Sequence, residues 1–350
     1  MGDLALAALV GLTFRLTIVL QKGADVRYLV IWSVMLAGCT GKQDPELRLG
    51  YFANLTHAQA LLGVHSDEFA QALAPTKLDT RVFNAGPSLM EALFAGEIDI
   101  AYVGPGPTIN AFARTKGTGV RVIAGAAANG VVIVARPGSG IEKLADLKGK
   151  RIATPQLGNT QDISARHYVT ATLGEGDTNN VIPIDNAMQA TMMARDQIDA
   201  AWAPEPWGAR LVAEAGGRII AQEKDLWPDG KFGLTLVVTT PAFLSQHPDI
   251  VKRFLAAHRT WTTRLADDPQ KYVPELAEAI ENLTGKKMPQ SLLMDALSRV
   301  TFLDDPLEAT LKTMAQWAYD LNYLREPVNL EGLIDLGLLR SLPASSPRTE

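Results

Sequence analysis

Small polar residues recur in this 350-residue chain where an apolar run gives way to a helical pattern. Asn54 and Thr56 stand at one such place, with His57 beside them. Ser88 follows Gly86-Pro87, and Gly106-Pro107-Thr108, Gly158-Asn159-Thr160-Gln161 and Glu205-Pro206-Trp207 repeat the arrangement. Thr56-His57-Ala58-Gln59 and Ser88-Leu89-Met90-Glu91 have capping-box spacing. A helix start offers N–H groups with no intrahelical partner and the positive end of the helix dipole, and both favour an anion. Singly, each of these residues is an ordinary cap. As a set, all following strands, they could surround one anion. His57 could donate a hydrogen bond to a ligand oxygen, and Trp207 could cover the apolar part of a ligand. Trp202 reads as core, and Asp162 with Arg166, four apart, as an ion pair along one helix face.

Catalytic constellations are missing. The histidines at 57, 65, 167, 247 and 258 have no metal-ligand spacing. No Gly-x-Ser-x-Gly elbow or Walker loop occurs, and Gly104-Pro105-Gly106 lacks the third glycine of a dinucleotide fingerprint. The expectation is a binding protein without metal, cofactor or reaction. The formal charge is −5, and no basic stripe interleaved with aromatics is present, which argues against nucleic acid.

Cys39 is the chain's one cysteine and closes Leu36-Ala37-Gly38-Cys39. That run resembles a bacterial lipobox, where a precursor is cut and its new N-terminal cysteine acylated. Arg27 and a short apolar stretch at 29–35 precede it, as in an export signal. The expectation is a leader at 1–38, a polar linker at 39–45, and a lipid anchor on Cys39 holding the protein to a membrane face outside the cytoplasm. A second apolar stretch at 4–20, interrupted by Arg15, is more than a signal needs and suggests a downstream start near Val26.

To position the small polar residues, the chain must alternate strands and helices. Runs at 47–52, 79–83, 98–103, 120–124, 131–135, 150–153, 181–184, 199–203, 218–222 and 234–239 read as strands. Helical patterns fill the intervals, and 241–323 reads as helical throughout. The class is α/β with a helical C-terminal block. Residues 341–350, rich in Ser and Pro, read as a disordered tail. Ile98-Asp99-Ile100-Ala101-Tyr102 is echoed by Ile198-Asp199-Ala200-Ala201-Trp202, each ending in a Pro-rich turn. Two similar α/β lobes, each presenting strand ends to one cleft, account for the echo.

These residues also carry a family resemblance. The run 47–52 with Asn54-Leu55-Thr56-His57-Ala58 resembles the first strand and loop of the solute-binding proteins for aliphatic sulfonates, nitrate and taurine. Gly86-Pro87-Ser88, Asp99 to Gly104, Ala145 to Lys150, Leu157 to Asp162 and Trp202 to Trp207 are similar to that family as well. The resemblance implies a two-lobed periplasmic-binding-protein fold of type II. Lobe 1 would hold 46–128 and 231–340 and lobe 2 would hold 129–230, with two crossings near 127–131 and 227–232. It implies a monomer that delivers its ligand to the permease subunits of an ABC importer. The ligand, foremost an aliphatic sulfonate, would set its anionic head against Asn54, Thr56, Ser88 and Thr160, with Trp207 nearby. Nitrate, taurine and a thiamine-pyrimidine precursor are the alternative ligands. A pyrimidine-precursor synthase or a sensor is the alternative role, although the synthase would need a cysteine-rich, histidine-bearing iron site. Ala53 stands where many relatives carry proline, and Ala126-Ala127-Ala128-Asn129 where they often carry small hydroxyl residues.

Overall fold

The echoed Ile-Asp runs hold the same place in two sheets. The computed structural model describes residues 46–174, 176 and 178–343. The leader, the linker with Cys39, and residues 344–350 lie outside the described residues. In chain order, β1 (Glu46–Phe52), β2 (Lys77–Phe83), β3 (Ile100–Val103) and β4 (Arg121–Asn129) enter a first sheet. Strands β5 (Val131–Ala135), β6 (Ile152–Thr154), β7 (Val181–Pro183), β8 (Ala200–Pro204) and β9 (Arg218–Gln222) form a second. The chain then returns to the first through β10 (Gly233–Thr239) and β11 (Val300–Phe302).

The sheet orders are β2-β1-β3-β10-β4-β11 and β7-β6-β8-β5-β9. In each, a parallel trio is followed by an antiparallel strand that arrives from the other lobe: β10 beside β3, and β5 beside β8. Asp99 and Asp199 clamp the equivalent junctions. Asp99 accepts hydrogen bonds from the Arg48 backbone N–H (2.8 Å) and Nε (2.9 Å). Asp199 accepts the same pair from Arg151 (3.0 and 2.9 Å), and Arg151 holds its carboxyl well below the usual carboxylate range. The echo therefore has a structural cause in the acid that ties β1 to β3 and β6 to β8.

Strand β5, Val-Val-Ile-Val-Ala, is buried along its whole length, as a β-branched run in a covered sheet should be. Helices α1 (Ala58–His65), α2 (Glu68–Leu73), α3 (Gly86–Phe94) and α4 (Pro105–Arg114) lie between the strands of the first sheet. Helices α5 (Thr160–His167), α6 (Asn186–Ala194) and α7 (Trp207–Ala215) serve the second. The C-terminal block adds α8 (Pro241–Gln246), α9 (Pro248–Asp267), α10 (Val273–Thr284), α11 (Gln290–Leu297), α12 (Glu308–Asp320) and α13 (Gly337–Arg340). It is not helical throughout, because β11 pairs antiparallel with β4 and extends the first sheet.

Helix α9 buries Ile250, Val251, Phe254, Leu255, His258, Trp261, Thr262 and Leu265, one face at helical spacing. Its His258 is a core residue: Nδ1 accepts from the Tyr102 hydroxyl (2.8 Å) and Nε2 donates to the Gly125 carbonyl (2.9 Å). Burial pushes its pKa down to about 4.

Two segments join the lobes. The first is the turn between β4 and β5, where Asn129 (φ 63°) and Gly130 (φ 74°) take left-handed conformations. Glycine suits position 130 twice over, since a Cβ there would sit 2.8 Å from Val300 Cγ2. The second runs from β9 to β10 through two 3-10 turns, Glu223–Leu226 and Pro228–Gly230. The crossings lie side by side, with the Asn129 N–H donating to the Phe232 carbonyl (3.0 Å).

Candidate functional site between the lobes

Both sheets turn strand ends toward one small cavity of about 30 Å³. From the first lobe come Phe52, Asn54, Thr56 and His57 after β1, Asn84, Ala85 and Gly86 after β2, and Gly104 and Pro107 after β3. From the second come Pro155, Asn159, Thr160 and Gln161 after β6, Asn186 after β7, and Pro204 at the end of β8. Leu234 and Thr235 of β10 complete it.

Four helix N-termini border this space: Ala85 and Gly86 begin α3, Gly104 and Pro107 belong to the start of α4, Asn159 to Gln161 begin α5, and Asn186 begins α6. Among the described residues no side chain caps α3 or α6, so the Gly86, Asn186 and Ala187 N–H groups are left for another acceptor, whereas the Met188 N–H donates to the Asp185 carbonyl (2.8 Å). Among the described residues no lysine, arginine or acid lines the cavity. His57 is neutral as well, since burial drives its pKa down to about 3. Its Nδ1 accepts from the Phe52 N–H (3.3 Å), so the proton sits on Nε2 and the ring offers one donor. The Thr235 hydroxyl is 1 % exposed at its residue and has no protein partner. A buried unpaired hydroxyl costs about 1–3 kcal/mol, so it favours an incoming hydrogen-bonding group.

Of the residues expected from sequence, Asn54, Thr56, His57, Asn159 and Thr160 line this cavity. Trp207 stands just outside, donating from Nε1 to Asn54 Oδ1 at 2.6 Å. The others lie elsewhere, each for a visible reason. Helix α3 begins at Gly86, so Ser88 is not its cap, and its hydroxyl donates back to the Ala85 carbonyl (3.0 Å). The Thr56 box is also not formed: Gln59 donates instead to the Ala126 carbonyl (2.7 Å). Thr108 donates to the Gly104 carbonyl (2.8 Å), and the Gly106 N–H donates to Thr160 Oγ1 across the lobes (3.2 Å). Glu205 is fully buried and bonds Arg299 Nε (2.7 Å) and the Ala209 N–H (3.0 Å).

Asp162 does more than pair with Arg166 (3.0 Å). It also accepts from Thr154, Gly158 and the Tyr323 hydroxyl (2.6 Å), fastening the C-terminal block to α5. Asn84, Gln161, Asn186 and Thr235 were missed. The lobe echo carries a signal for two of them, since Asn84 and Asn186 follow the equivalent strands β2 and β7. Among the described residues no group of three or more His, Cys, Asp or Glu could hold a metal, and no helix is long and apolar enough to cross a membrane.

The family model described as NMT1-like family matches residues 40–281. The chain belongs to the NMT1-like family. Among relatives of this NMT1-like protein, one from Brucella abortus (strain 2308), named as a binding protein, is 26% identical over 289 residues, 81% of this chain and 88% of that one. The taurine-binding periplasmic protein of Escherichia coli (strain K12) is 29% identical over 184 residues, 51% of this chain and 54% of that one. Among solved structures, the alkanesulfonate-binding protein SsuA from Xanthomonas axonopodis pv. citri bound to MOPS is similar with a TM-score of 0.67 at 21% identity, covering 83% of this chain and 98% of that one. The fold of this NMT1-like protein is thus the two-lobed α/β fold of periplasmic binding proteins.

Proposed function

We propose that this protein is the solute-binding component of an ABC importer and captures a small organic anion, foremost an aliphatic sulfonate, between its lobes. One observation carries the reading: the N-termini of α3, α5 and α6 and the unpartnered Thr235 hydroxyl converge on a cavity whose described lining holds no lysine, arginine or acid. N–H and O–H donors can surround a singly charged oxyanion without a counter-ion, as at other helix N-termini. The two side-by-side crossings provide the hinge for closure over the ligand. The relatives named for binding taurine and alkanesulfonates support the same class. No reaction on the ligand is proposed. Acylation of Cys39 would anchor the protein, as a monomer, to a membrane outside the cytoplasm, from which it would pass the ligand to the permease subunits.

The inner cavity's small volume favours a second ligand reading, an inorganic anion such as nitrate. Thermal shift across alkanesulfonates, taurine, nitrate, sulfate, bicarbonate and thiamine precursors separates the two. A ligand bound only by the folded state adds about 2.7 kcal/mol at a hundredfold excess over Kd. Stabilisation by a sulfonate and not by nitrate is expected. A response confined to neutral or cationic compounds contradicts the proposal.

A further inference from the structure

Helix α12 belongs to neither lobe alone. The chain leaves the first sheet at Asp304, whose carbonyl accepts from the Gly125 N–H of β4 (2.8 Å). It rejoins that sheet at Leu333, whose carbonyl accepts from the Val122 N–H (2.8 Å). In between, α12 packs on both α4 and α5. Those two helices face each other across the lobes so closely that a Cβ on Gly106 would lie 2.9 Å from Ile163 Cδ1. Two contacts then tie the excursion to the second lobe. Trp317 stacks on His167 of α5, with ring centroids 4.1 Å apart and planes 12° from parallel. The Tyr323 hydroxyl donates to Asp162 Oδ2 (2.6 Å). Asp162 is fully buried and gathers the first turn of α5: it accepts from the Gly158 N–H (2.9 Å), and its own N–H donates to Asn159 Oδ1 (2.8 Å). In the same turn, Thr160 Oγ1 accepts from the Gly106 N–H of the other lobe (3.2 Å). Neither Trp317 nor Tyr323 lines the cavity.

We propose that the excursion at 304–333 is a strap that favours the closed arrangement of the lobes, with Tyr323 as the positioning residue at its far end. Two covalent crossings alone leave the lobes free to rotate about them. The strap adds a third, non-covalent bridge. Separating α5 from α4 must break either its bonds to α5 or its packing on α4, so the strap stabilises the closed state more than the open one. It acts on α5 from outside the cavity, whatever solute the cavity holds.

Amide-resolved hydrogen exchange on the ligand-free full chain tests this in wild type, Tyr323→Phe and Trp317→Leu. The reporter is the Gly106 N–H, whose acceptor is on the other lobe, and the buried β5 amides report global unfolding. In wild type Gly106 should exchange ahead of β5, since opening the lobes costs less than unfolding. Tyr323→Phe keeps the ring and removes the donor. Loss of one hydrogen bond should speed β5 exchange by roughly 2- to 12-fold. If the strap parts when the lobes open, Gly106 should speed up by the same factor, and Trp317→Leu should act in the same direction. Three results overturn the strap: Gly106 exchanging no faster than β5 in wild type, β5 accelerating in a variant while Gly106 does not, or no acceleration of either in Tyr323→Phe. No ligand is needed, so each of them leaves the solute-binding reading standing.

Discussion

Trp207 and Asn54, 153 residues apart, are joined across the cleft by a 2.6 Å hydrogen bond from the indole N–H to the amide oxygen. The bond lies at the edge of the cavity, which Asn54 lines. It therefore helps hold the lobes together over whatever occupies the cavity. Trp207→Phe keeps most of the ring and removes the donor. A net hydrogen bond of ~0.5–1.5 kcal/mol corresponds to roughly 2- to 12-fold. Stopped-flow measurement should show ligand release faster by about that factor, whereas an unchanged rate would show that the bond does not hold closure.

Close approach of the lobes needs Gly104. A Cβ at this position would lie 2.3 Å from Thr160 Oγ1, although the backbone (φ −77°) would accept any residue. Gly104→Ala should fold normally and close poorly. Overpacking of ~1–3 kcal/mol corresponds to a loss of affinity of roughly 5- to 150-fold. Calorimetry with the same ligand checks the value, and an unchanged Kd would mean that Thr160 yields freely.

Glu205 is a clasp between the second lobe and the C-terminal block. Burial pushes its pKa up, and the Arg299 guanidinium 2.7 Å away pulls it back. Arg299→Met strands a buried acid and should cost about 3–5 kcal/mol in urea unfolding. Adding Glu205→Gln to that variant should restore most of the loss. A double variant as unstable as the single one would contradict the assignment.

Glu223 makes stability depend on pH. It is completely buried within the second crossing, accepts from the indoles of Trp202 (2.6 Å) and Trp227 (3.2 Å), and burial raises its pKa to about 7 from 4.5. Between those values the folded state holds a proton that the unfolded state has released. Its contribution is therefore full below about pH 4.5, falls as pH rises to about 7, and is flat above. The full swing is of order 3 kcal/mol. Melting temperatures of wild type and Glu223→Gln over pH 4.5–8 should diverge, with the variant gaining at the alkaline end. Parallel curves would contradict the shift.

Much of the fold is legible where burial alone decides the element. Strand β5 coincides with its apolar run at 131–135, and β9 is equally plain at 218–222. Strand β11 is not, because three residues between helical patterns become a strand only when β4 offers an edge. The site divides in the same way. Asn54, Thr56, Asn159 and Thr160 stand out as polar residues just beyond strand ends. Thr235 does not, being one hydroxyl inside the apolar run of β10, and its role depends on which face meets the other lobe. Ser88 and Thr108 look like caps, yet their hydroxyls return to backbone carbonyls of their own helix starts. Side-chain direction at a helix start depends on where the first turn begins, and a difference of one or two residues changes it.

The proposed capture is of an anion by an uncharged lining of N–H and O–H donors. Its most direct test is calorimetric titration of an alkanesulfonate beside the matching neutral sulfonamide, in wild type and Thr235→Val. The sulfonate should bind, the sulfonamide should bind at least tenfold more weakly, and Thr235→Val should weaken the sulfonate several-fold, in line with about 1 kcal/mol for one hydrogen bond. Equal or stronger binding of the neutral sulfonamide would contradict the account.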